Sequence, residues 1–176
     1  MKRMLVLLLS LLLLTPVLAE ELLQAEDFTL RLTDAEDAPV FAIGDPAQAL
    51  LDALADYTGA PVQMTFEDQD CMLPGMTREY LTADEMFVLA TRPLPGDAKA
   101  NTLESVMVLT DAVVTRRGAK VGMTLAEIEA LYGVEYALDY DTVFYSNGDF
   151  EPQLMFFFDT ESWRCIGWMI FRNMVI

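Results

Sequence analysis

Apolar and polar residues change their spacing several times along this chain, and each change marks an element. Residues 28–32, Phe-Thr-Leu-Arg-Leu, alternate with the two-residue period of a half-buried strand. An acidic turn at 34–37 and a short apolar step at 40–43 follow. Gly44-Asp45-Pro46 reads as a turn into a helix, with Asp45 as its N-cap and Pro46 at the first helical position. Leu50, Leu51, Leu54 and Tyr57 form the apolar face of that helix, and Gly59 and Pro61 stop it. Residues 62–66 alternate again, and Pro74-Gly75 is a turn. Strands are expected at 86–91 and 103–109, with a loop over 93–102. The second helix has the sharpest start, because Thr124 can cap it and Glu127 stands three residues on as capping-box partner. Leu125, Ile128 and Leu131 share one face of it, and Gly133 ends it. Residues 142–146 and 153–159 flank the hairpin signal Ser146-Asn147-Gly148-Asp149, and 163–172 is the last strand.

A short internal echo runs through this order. Ile43-Gly44, two residues and a helix with Leu50 correspond to Val121-Gly122, two residues and a helix with Ile128. The helices close on Tyr57-Thr58-Gly59 and Tyr132-Gly133. The match is short enough that coincidence stays open beside duplication. The simpler organisation is one α+β domain over residues 20–176, built from two helix-plus-antiparallel-strand repeats at about 40–115 and 116–176.

The N-terminus has its own pattern. Lys2 and Arg3 precede an apolar run over residues 4–14, then Thr15-Pro16 and Val17-Leu18-Ala19, the form of a signal peptide cleaved after Ala19. The run falls short of the roughly 20 residues that a spanning helix needs, so an uncleaved anchor is the lesser alternative. Glu20 stands where lipid attachment would require cysteine. The chain is therefore expected to be secreted or extracytoplasmic without a lipid anchor.

Charge and composition narrow the chemistry. The 176 residues hold 28 Asp and Glu against 11 Lys and Arg, a net charge of −17. Such a surface repels phosphate backbones and anionic lipid, so no nucleic-acid partner is expected, and no membrane contact beyond the transient signal peptide. Histidine is absent, which removes Ser-His-Asp and Cys-His catalysis. No Gly-x-Ser-x-Gly elbow, Ser-x-x-Lys or glycine-rich phosphate loop occurs. Asp68 with Asp70, and Asp139 with Asp141, lack the spacing of a calcium loop and read as solvated charge. No cofactor, no metal and no enzyme activity are expected.

Two other residue sets stand out. Cys71 and Cys165 are an even pair suited to one disulfide in an oxidising compartment, with two separate thiols as the alternative. Phe157, Trp163, Trp168 and Phe171 belong to an aromatic cluster too large for one face of a hairpin. They form either an interaction surface or the packing between repeats.

The stretch from Gly118 through Val121-Gly122, Thr124, Glu127 and Tyr132-Gly133 resembles the repeat of the β-lactamase inhibitory proteins and of the small lipoprotein of the outer-membrane β-barrel assembly machine. Asp70-Cys71-Met72-Leu73-Pro74-Gly75 is similar to a segment of exported proteins of Gram-positive gut bacteria. The resemblance runs from residue 43 to the end and rests on glycines, caps and core positions. It implies a β-lactamase-inhibitory-protein-like fold and a module binding another protein or a cell-wall component, and it transfers no catalytic residue or target. A carboxylate-dependent enzyme acting on an extracellular polymer and a structural envelope-assembly factor are the alternatives.

Overall fold

A computed structural model describes residues 23–33, 35, 37–148 and 151–172. The expected signal peptide and its cleavage after Ala19 lie outside the described residues. A 3-10 turn, Ala25–Phe28, leads into a small ladder between β1 (Thr29–Leu30) and β2 (Phe41–Ala42). Helix α1 (Ala47–Thr58) is followed by β3 (Gln63–Gln69), β4 (Met76–Leu81), β5 (Phe87–Leu94) and β6 (Asp97–Val108). Helix α2 (Leu125–Tyr132) is followed by β7 (Ala137–Asp139), β8 (Thr142–Ser146), β9 (Pro152–Phe158) and β10 (Cys165–Arg172). These eight strands form one antiparallel sheet in the order β3-β4-β5-β6-β10-β9-β8-β7. The protein is thus α+β and strand-rich, each helix preceding a four-stranded meander and the meanders joining through their last strands. Among the described residues no helix is long and apolar enough to cross a membrane.

Local chemistry explains the helix ends. Thr124 Oγ1 accepts the Glu127 N–H (3.3 Å) while the Glu127 carboxylate accepts the Thr124 N–H (2.8 Å), the expected capping box. At α1 the expected cap is corrected. Pro46 occupies the N-cap position, and the Asp45 carboxylate instead accepts the Ala42 N–H at 2.8 Å, closing the preceding turn. Gly59 ends α1 with φ of 70°, a left-handed conformation that costs glycine little.

Both helices lie on one side of the sheet. Leu50, Leu54 and Ile128 are fully buried in one cluster with Phe87, Leu89, Val106, Val108, Phe156, Trp168 and Ile170. Each apolar side chain so buried contributes about 1.5–3 kcal/mol relative to exposure.

The segments entering the helices repeat one geometry. Gly44 and Gly122 are both left-handed, with φ of 95° and 91°. Gly44 N–H donates to Leu103 O and Leu103 N–H donates to Asp45 O; Gly122 N–H donates to Cys165 O and Cys165 N–H donates to Met123 O. One residue later each partner strand bulges, at Glu104 in β6 and at Ile166 in β10. Four residues beyond Leu103 and Cys165 stand Met107 and Met169, and these two are cross-strand partners. A local two-fold axis therefore passes between Met107 and Met169.

Three other expectations are corrected. Residues 93–102, expected as a loop because 94–99 carry no apolar alternation, are the arms of the β5–β6 hairpin, turning at Pro95 and Gly96 (φ 87°). Strands β4 and β7 had no clear apolar signal; β7 is exposed throughout and β4 mostly half-buried. The expected Cys71–Cys165 disulfide is absent: both are free, Cys71 exposed and Cys165 buried. Cys71 precedes β4, which starts at one end of the sheet, and Cys165 opens β10, which starts at the other, three strands away. Register places them roughly 30 Å apart along the strands at about 3.3 Å per residue, far beyond disulfide reach.

Candidate functional site: the helix-free face of the sheet

Successive strand residues point to opposite faces, so the residues between the core positions form a second surface. Cross-strand pairing joins them into one apolar row, Leu81–Val88–Met107–Met169–Met155–Phe144, across six adjacent strands. At about 4.8 Å per strand the row is roughly 24 Å long. Met155 is buried, and the other five are half-buried. A second row, Ala90–Ser105–Phe171–Gln153, lies beside it, and Gly167–Phe157–Thr142 lies on the other flank.

Gly167 lets this flank close up. A Cβ there would come within 2.7 Å of Leu109 Cδ2 and 3.8 Å of Phe157 Cδ2, so the missing side chain is the space that Leu109 fills. Three methionines stand side by side at the centre. Their flexible, polarisable thioethers can refit to differently shaped partners.

The structure divides the four aromatic residues singled out from sequence. Phe157 and Phe171 lie on this face, half-buried. Trp163 is 41% exposed in the β9–β10 turn, with φ of 52° and its ring 6.0 Å from Phe158. Trp168 is corrected: it pairs with Val108 and Phe156 on the core side and is completely buried, so it is no interface residue. Sequence reasoning missed Val88, Met107, Phe144 and Met155. Their signal was present as apolar residues alternating with an already apolar set, the mark of a strand with two apolar faces.

Several polar groups elsewhere are committed to structure. Asp70 Oδ1 accepts the N–H groups of Met72 (2.7 Å) and Leu73 (2.6 Å), while Oδ2 faces Arg92 Nε at 3.2 Å. Burial pushes the Asp70 carboxyl up, but these hydrogen bonds and the Arg92 charge outweigh it and hold it below its usual value. Asp68 turns away to the Gln69 N–H, so this pair does not converge. Asp141 accepts the Thr142 hydroxyl at the β7–β8 turn. Burial raises Glu104 despite Arg92 and Arg172 nearby. The Cys165 thiol donates to Gly167 O, and burial pushes it up to about 11, so it stays protonated and unreactive at neutral pH. No group of three metal-ligating side chains occurs among the described residues. A hollow of about 200 Å³ lined by Thr29, Arg31, Val114, Thr115 and Arg116 contains no carboxylate and is smaller than most ligand sites.

The sequence matches no protein-family profile and no curated protein. Among solved structures it is similar to an extracellular protein containing a SCP domain from Bacillus anthracis str. Ames, with 9% identity and a TM-score of 0.46 over 74% of this chain. The chain spans 44% of that protein's length. A likeness of this grade carries no argument about activity.

Proposed function

We propose that this protein is an exported binding module whose helix-free sheet face receives another protein. The carrying observation is the apolar row from Leu81 to Phe144, uninterrupted across six strands on the side opposite the helices. Contiguous apolar surface is a feature of interaction sites. Export is supported by the apolar run behind Lys2 and Arg3. The matched glycine segments, matched bulges and local two-fold axis support a duplicated unit at about 40–115 and 116–176, of the β-lactamase-inhibitory-protein kind.

An enzyme reading has less support. Burial raises Glu104, yet Arg92 lies between it and Asp70, an arrangement of ion pairing rather than of two acids across a cleft.

The test is capture from the exported fraction of the source cells with immobilised protein. Met169→Glu places a charge at the centre of the face, and Gln48→Glu places one on exposed α1. A partner retained by native protein and Gln48→Glu but lost by Met169→Glu supports the reading. Equal retention by both variants overturns it.

A further inference from the structure

One end of the sheet extends the apolar face and charges its rim. Antiparallel order brings the β4–β5, β7–β8 and β9–β10 turns and the exit from β6 to the same end. Exposed apolar side chains gather there, among them Met86, Leu109, Trp163 and Ile166. The stretches 82–86, 109–112, 139–142 and 159–164 hold seven carboxylates and a single cation, Arg164. That guanidinium is engaged, donating to Gly122 O at 2.8 Å. Glu85, Asp111, Asp139 and Glu161 are exposed.

Little positive charge balances this rim. Beyond Arg3 the sequence has nine cationic side chains, of which Arg78, Arg92 and Arg117 are in ion pairs with Glu67, Asp70 and Asp27. A second copy of so acidic a chain is repelled from this face, and so are phosphate-rich polymers.

We infer that the occupant of this face is a cationic, apolar polypeptide segment, with its apolar side chains on the methionine row and its Lys or Arg groups against the carboxylates of the rim. The inference rests on the binding-module reading and adds the chemistry of the partner. Apolar contact supplies affinity, and the carboxylates supply approach rate and selection by sign. Adaptable methionines let one face accept related sequences, as in other methionine-rich grooves.

The test uses protein labelled with 13C at its methionine methyl groups, the Met107 and Met169 signals being assigned by single Met→Leu variants. Two synthetic amphipathic peptides, alike in Leu and Trp but bearing Lys in one and Glu in the other, are titrated at low salt. The inference expects the Lys peptide to shift Met107 and Met169, the Glu peptide to bind at least about tenfold more weakly, and added salt to weaken the Lys complex by screening the exposed charges. It also expects a Glu85→Gln, Asp111→Asn, Glu161→Gln variant, with its fold verified by far-UV circular dichroism, to bind the Lys peptide several-fold more weakly. Equal shifts by both peptides overturn the charge inference and leave the binding face standing. Lys-peptide binding that leaves Met107 and Met169 unmoved overturns both. No binding by the Lys peptide overturns the charge inference, and the capture experiment then judges the face independently.

Discussion

Trp163 and Trp168 are five residues apart and occupy opposite environments, because the turn and bulge before Gly167 set which side each later residue takes. Trp168→Ala should lower stability by about 3–5 kcal/mol in urea titration, the cost of emptying a large core site. Trp163→Ala should cost less than about 1 kcal/mol, as at most surface positions. A small loss at Trp168 would contradict its placement in the core. A second residue-scale contact ties the first turn to the region of α2. Arg117 Nε and Nη2 donate to Asp27 Oδ1 (2.9 Å) and Oδ2 (2.7 Å), and the guanidinium lies 5.3 Å from the Tyr132 ring centroid. Burial pushes the Asp27 carboxyl up, but the Arg117 hydrogen bonds, the Gln24 N–H and the Arg117 and Arg116 charges hold it below its usual value. A depressed folded pKa makes the pair's contribution complete above the unfolded pKa and removes it as pH falls through the folded one. Arg117→Ala should therefore cost about 3 kcal/mol at neutral pH, with the difference from native protein narrowing below about pH 4. A constant difference across that range would rule out the ion pair as its source. No sequence signal joined Asp27 to Arg117, since they meet only after 90 residues of intervening fold.

At the scale of elements, legibility followed locality. The α2 cap could be read because Thr124 and Glu127 signal within one turn, and Thr124→Ala should reduce thermal stability by about 1 kcal/mol. The outer strands were obscure because β7 buries no residue and β4 presents no clean alternation. The cysteine pairing failed for a different reason: parity of count says nothing of distance, and the sheet order sets the two at opposite ends. Alkylation of the native, oxidised protein should modify Cys71 quickly and Cys165 only after unfolding, with two thiols in total. A count of zero on full unfolding would restore the bridge and contradict the sheet order.

For the whole molecule, the paired glycine segments at Gly44 and Gly122 were visible as a short echo, and the structure gives them the same left-handed turn and the same hydrogen bonds to β6 and β10. What the echo could not reveal was how its two units meet. That depends on pairing β6 with β10, which sets Met107 against Met169 and continues one apolar row across both halves. Alternation marked two apolar faces on the last strands without showing which one the helices cover, so Trp168 was placed on the wrong face. The central claim is that the face without helices is where a partner sits. Its most direct measurement is photo-crosslinking in the exported fraction, with a benzophenone side chain placed at Met169 in one sample and at Gln48 of α1 in another. A discrete adduct is expected from position 169 and none from position 48. An adduct from position 48 alone would place binding on the helical side and contradict that claim.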